Sequence, residues 1–257
     1  MMSAVLLIRL FASPLAIGLA SLAGKRWGPN IAGVLGGLPL VGGPIVAALW
    51  ITQGSDYVTT LARSAPAGVW SNIVYMLAVG QLSKRWGWKV GIACGWIGYL
   101  GGGLLLNASG LAHSLIVGVA VLPGLWLSAV RWLPKPTAVP PPTHLPHSEL
   151  ITRMLAAAAL VLSLTAAASW FGPTLTGLFT GAPVAATVIP AFTYVSSGHD
   201  GMLLALRGFL TGLMGFTVCF LILGLGIPVL HAWAVLPAIV AGVAVGFGAT
   251  ALARRVV

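Results

Sequence analysis

The chain reads as an all-α integral membrane protein of about nine transmembrane helices in two inverted repeats, five helices followed by four. Three observations predict this. Only 6% of the 257 residues are charged and 58% are hydrophobic, whereas a soluble domain carries about 25% charged residues. Apolar runs close to the ~20 residues that cross a bilayer recur along the chain. A shift of 144 positions lays residues 6–80 on 150–224 without a gap, with 18 of 75 positions identical, where composition alone accounts for roughly six.

In chain order the apolar runs fall at 3–23, 30–52, 58–82, 89–106, 111–132, 150–170, 173–195, 201–225 and 231–253. The first lacks a basic leader and a distinct small-residue cleavage site, so it is expected to remain as a helix. The second carries Gly36-Gly37-Leu38-Pro39-Leu40-Val41-Gly42-Gly43-Pro44 at its middle. Proline removes an intrahelical hydrogen bond and glycine permits unwinding or close backbone approach, so a broken helix is predicted. The third run follows Asp56 and contains Arg63, and the fourth and fifth are parted only by Asn107-Ala108-Ser109-Gly110. Residues 134–149 are Pro-rich and polar, and they read as a cytoplasmic linker between a first repeat at 1–133 and a second at 150–257. His144 and His147 in that linker have a spacing that could hold a metal, but without helix or further ligands they read as solvated. The seventh run carries Gly181-Ala182-Pro183 and later Pro190, a second predicted break, and the ninth is interrupted by Pro237. Counts of eight or ten spans remain open at the fourth, fifth and ninth.

Orientation follows from the basic residues. With the N-terminus outside, Lys25, Arg26, Lys84, Arg85, Lys89, Arg131, Lys135, Arg153, Arg254 and Arg255 all lie on the cytoplasmic side, and no external loop holds Lys or Arg. The C-terminus is then expected on the cytoplasmic side of a cell membrane. Trp27, Trp86, Trp88, Trp132 and Trp170 fall at span ends, as interfacial aromatics do. Most of the net charge of +10 is thereby explained as topology, which removes the case for a nucleic-acid partner. Gly118-Val119-Ala120-Val121 also aligns with Gly242-Val243-Ala244-Val245 once 20 residues, one helix, are removed from the second copy. An odd number of spans in the first copy turns the second upside down. Where inversion moves a cytoplasmic loop outside, its charges vanish: Lys25-Arg26 corresponds to Ser169-Trp170, and Lys84-Arg85 to Pro228-Val229.

Inverted repeats with broken helices at matched positions are a construction of secondary transporters, in which freed amides and carbonyls face the solute near the bilayer midplane. The expected site therefore includes Gly37, Pro39, Gly181 and Pro183. The chain has three carboxylates, and two are repeat-related: Asp56 and Asp200, each followed seven residues later by Arg63 or Arg207. Seven helical residues span about 10 Å, too far for an ideal direct bridge, so a solute or third group is expected between them. Arg63 and Arg207 are the candidates for holding an anionic group, Asp56 and Asp200 for gating or ion pairing. The repeat-related Arg9 and Arg153 either supply the third group or snorkel to the interface. Asn72, Tyr75, Thr174, Trp50 and Tyr194 are weaker cavity candidates, and His113 and His231 lie near external span ends. Cys94 and Cys219 sit in apolar runs and form no metal or disulfide pattern. Neither a cofactor nor a metal is implied, and three scattered carboxylates make no catalytic cluster, so an enzyme is not expected. No nucleotide-binding motif is present.

Ala32-Gly33, Pro39, Gly54, Leu61-Ala62-Arg63, Gly68-Val69-Trp70-Ser71 and Tyr75 together resemble the GlpM-like small inner-membrane proteins. The second copy keeps Gly177, Pro183, Gly198, Arg207 and Gly212 but has Met214-Gly215 in place of the Trp-Ser pair. The resemblance implies a multi-pass inner-membrane protein with a reused helical unit, and it transfers no substrate. The expected function is a membrane transporter for a small, anionic solute, working within the lipid bilayer. The rivals are a channel, and a non-transport assembly or lipid-handling protein.

Overall fold

The computed structural model describes residues 2–39, 42–138, 147–168 and 173–256. Leu40, Val41, His144 and Trp170 lie outside the described residues, and so do the side chains of Arg9 and Pro44. Among the described residues every regular element is helical: α1 Met2–Trp27, α2 Pro29–Gly37, α3 Gly42–Gln53, α4 Ser55–Ala108, α5 Leu115–Leu127, α6 His147–Ala168, α7 Pro173–Thr180, α8 Val184–Leu230 and α9 Val235–Val256. A π-helical turn, Ser128–Trp132, extends α5, and 3₁₀ turns at Leu111–His113 and His231–Ala234 precede α5 and α9. Three stretches, Ser55–Ala108, Leu115–Trp132 and Val184–Arg255, are long and apolar enough to cross a membrane.

The elements start and stop where local chemistry dictates. α4 turns at Gly87 and α8 at Gly198, each at a positive φ that only glycine adopts freely. Gly54, between α3 and α4, has φ 86 and ψ 175, and Gly198, its counterpart 144 residues on, has φ 72 and ψ −170. The same backbone conformation thus recurs two residues before Asp56 and before Asp200. Ser114 caps α5 by accepting from the Val117 amide. Pro237 lies in the first turn of α9, where its missing N–H costs no hydrogen bond, so it does not interrupt that helix.

Large aliphatic side chains face outward while two arginines face inward. Ile97, Ile116, Val229 and Leu236 are exposed, while Arg153 and Arg207 retain only 4% and 6% of their surface, an arrangement that suits an apolar surrounding. The core is assembled by close backbone approach. α2 lies along α8, and α7 along α4. A β-carbon at Gly212 would overlap the Val34 carbonyl oxygen, and one at Gly68 would overlap that of Leu178. Both members of one pair are displaced by 144 from the members of the other. Small residues at such crossings let helix backbones touch where no hydrophobic drive exists between them.

Candidate functional site

Both predicted breaks are present. α2 ends at Gly37, Leu38 is extended, Pro39 turns, and the helix resumes as α3 at Gly42. α7 ends at Thr180, and Gly181-Ala182-Pro183 leads into α8 at Val184. The breaks are neighbours: a β-carbon at Gly36 would stand 3.4 Å from that of Ala185. Gly37 serves close packing, since a β-carbon there would come 2.6 Å from the Phe209 carbonyl oxygen and 3.0 Å from Gly212.

The second break carries a polar network. The Asn72 amide donates to the Gly181 carbonyl at 3.0 Å. The Pro183 carbonyl accepts from the Thr187 hydroxyl, which also meets the Tyr75 hydroxyl at 2.7 Å and accepts from the Trp96 indole at 3.1 Å. Tyr75, Trp96, Tyr99 and Phe179 continue as a ladder of edge-on and tilted rings with centroids 5.6–6.0 Å apart. Asn72 and Tyr75 were expected near a cavity; Thr187, Trp96 and Tyr99 were not. Their signal is a polar or amphipathic side chain in an otherwise apolar run, which does not by itself distinguish an interior face from an interfacial one. The Ser71 and Tyr99 hydroxyls are buried with no partner among the described residues.

The arginines do not sit at the breaks. Neither of the two cavities beside Arg63 is lined by Gly37, Pro39, Gly181 or Pro183. Arg63 stands nine residues from Asn72, about 14 Å along the helix, and its Nε donates to the Gly224 carbonyl at 3.1 Å. It lies at the junction of a 670 Å³ vestibule, lined also by Trp50, Asp56, Thr60 and His231, and a 230 Å³ pocket that reaches His113. Asp56 and Arg63 therefore share one cavity without forming an ion pair.

Their counterparts behave differently. Arg207 is buried; its terminal nitrogens donate to the carbonyls of Ala129, of Leu133 at 2.9 Å and of Pro134 at 3.1 Å. Asp200 accepts from the Thr137 amide at 3.1 Å, the Thr137 hydroxyl at 2.5 Å and the Ala138 amide at 2.9 Å. The expected Asp200–Arg207 gate pair is thus replaced by two side chains that grip successive parts of one segment, the end of α5 and the residues after it. A guanidinium facing the last carbonyls of a helix is also favoured by the helix dipole.

Arg153 turns into the protein. It bridges Glu149 at 2.6 Å, reaches the Ser21 hydroxyl at 3.5 Å and lies 5.3 Å from the centre of the Phe192 ring. Glu149, the third carboxylate of the chain, is its partner. Thr174 meets His113 at 3.0 Å, and Tyr194 lies edge-on to His199. Cys94 and Cys219 are free thiols, and among the described residues no three His, Cys, Asp or Glu side chains converge on a metal-sized site.

The fold thus defines a class: an all-helical chain with helices long and apolar enough to cross a membrane, and with arginines taken into its interior. No family model, curated protein or solved structure matches it.

Proposed function

We propose that the protein is a multi-pass membrane transporter of nine spans in two inverted repeats, moving a small solute with an anionic group by alternating access. In this reading the spans are α1; α2 with α3; the two halves of α4; α5; α6; α7 with the first part of α8; the rest of α8; and α9. The GlpM-like resemblance and the inner-membrane, N-terminus-outside orientation belong to the same proposal.

The observation that carries it is the unlike state of two repeat-related Asp–Arg pairs. Asp56 and Arg63 line an open vestibule, whereas Asp200 and Arg207 are occupied by residues 129–138. One open and one occupied member of a related pair of sites is what an inverted-repeat carrier holds when one face is open and the other shut. The long-range polar contacts support the pass count. Ser21 with Arg153, Asn30 with Arg254, and Thr137 with Asp200 join ends on one side of the proposed membrane. Tyr57 with Thr176, His113 with Thr174, and Arg63 with Gly224 join ends on the other.

The test is a flux screen in proteoliposomes with small organic anions, wild type against Arg63→Gln at matched insertion. The reading expects gradient-driven uptake of at least one solute and a loss of tenfold or more in the variant. No movement of any solute under any gradient sinks it.

A further inference from the structure

The vestibule carries both signs of charge. Asp56 and Arg63 lie on one face of α4, about 10 Å apart along the axis, and both line the same 670 Å³ cavity with His231 and Trp50. Among the described residues neither belongs to an ion pair. Arg63 is oriented by its Nε bond to the Gly224 carbonyl, and its two terminal amino groups remain as a planar fork suited to a carboxylate. The hydroxyls of Thr59 and Thr60 donate to the carbonyls of Ser55 at 2.9 Å and Asp56 at 3.0 Å. Their protons are therefore engaged, and what they offer the cavity beside Asp56 is acceptor lone pairs.

His231 adds a second, independent observation. It is the non-glycine residue with positive φ, at 51°, among the described residues. Under the 144-residue shift its counterpart is Gly87, which takes φ 79. The second copy thus holds a strained backbone at a position the first fills with glycine, and the side chain so retained lines the vestibule. Strain kept where glycine would relieve it points to a functional side chain.

We propose that the solute of this vestibule is zwitterionic: its carboxylate binds the Arg63 fork with His231 as a further donor, and its ammonium group binds Asp56 and the hydroxyl oxygens of Thr59 and Thr60. A purely anionic solute would meet Arg63 but face the Asp56 carboxylate unpaired, and an amine would meet the reverse. The proposal rests on the transporter reading for the role of the cavity, and it narrows the substrate class of that site.

The test measures equilibrium binding to the full chain in nanodiscs, with 4-aminobutanoate and 6-aminohexanoate as probes, each against the carboxylic acid and the amine of equal length. At least one amino acid is expected to bind about tenfold or more tighter than both of its singly charged analogues. Arg63→Gln and Asp56→Asn should each abolish that preference. His231→Gly should weaken binding while raising the melting temperature, a combination that a merely structural histidine does not give. Equal affinity for acid and amino acid, unchanged amino-acid affinity in Asp56→Asn, or no saturable binding of any probe overturns the proposal. Uptake in proteoliposomes separates its failure from that of the transporter reading. A carboxylic acid that binds and is carried removes the zwitterion and keeps the transporter; an amino acid that binds tightly but never crosses does the opposite.

Discussion

Arg63 and Arg207 are equivalent by sequence, yet their environments predict opposite consequences of removing them. Arg207→Met deletes the donors to three carbonyls just beyond α5, those of Ala129, Leu133 and Pro134. Leaving a buried acceptor without its donor costs about 1–3 kcal/mol each. Part of that is offset because the desolvation penalty of a buried cation disappears with it. Two buried acceptors and one half-buried acceptor left without a donor, less that offset, give a net loss of about 2–4 kcal/mol. Arg63→Met removes one bond, to Gly224, from an exposed side chain, worth about 1 kcal/mol or less. Thermal unfolding of purified protein in one detergent, followed by tryptophan fluorescence, should therefore place Arg207→Met well below wild type and Arg63→Met within a degree or two of it. Equal melting temperatures for the two variants, or a less stable Arg63→Met, would refute the assignment of Arg207 to holding the fold and of Arg63 to the cavity.

Three further outcomes are expected. Gly68→Ala and Gly212→Ala force helix backbones apart at the Leu178 and Val34 carbonyls, costing about 1–3 kcal/mol each, while Gly101→Ala, which meets no atom within 4 Å, gains up to about 1 kcal/mol of helix propensity; unfolding midpoints rank the three, and a neutral Gly68→Ala contradicts the packing. Asp200→Asn weakens the three bonds that hold Thr137 and Ala138, so hydrogen exchange at the Thr137 and Ala138 amides should run about tenfold faster than in wild type, and an unchanged rate contradicts the contact. Tyr99→Phe removes a buried hydroxyl with no partner among the described residues; it should leave stability unchanged or raise it by about 1 kcal/mol, and a large loss would show that the hydroxyl has a partner.

What was legible in the sequence was local in origin. The breaks at Gly37–Pro39 and Gly181–Pro183 follow from residues that cannot continue a helix, wherever the chain folds. The turns before Asp56 and Asp200 fall in the gaps between apolar runs, at 53–57 and 196–200, and the structure adds that Gly54 and Gly198 make them at positive φ. Partner choice was not legible, because it is decided by segments far away in the chain. Arg207 meets carbonyls more than 70 residues upstream, at and just beyond the π-helical turn that follows α5, where the backbone acceptors have no intrahelical donor. Glu149 and Arg153 stand at the i, i+4 spacing that pairs on a helix, a local signal that the sequence does carry. Symmetry of sequence suggested symmetry of role, and the structure separates the two arginines because one unit packs against the residues after α5 while the other faces a cavity.

The account stands or falls on whether opening the Thr137–Asp200 contact is part of moving the solute. In a chain with Cys94 and Cys219 replaced by Ala, cysteines at positions 137 and 200 are joined in proteoliposomes by a short bis-methanethiosulfonate, which bonds each thiol through a reducible disulfide, and uptake of the solute identified by the flux screen is measured before and after, then again after reduction. The account predicts that the cross-link stops uptake, that binding at the Arg63 vestibule persists, and that reduction restores transport. Uptake that continues at its full rate through the cross-linked protein would contradict it.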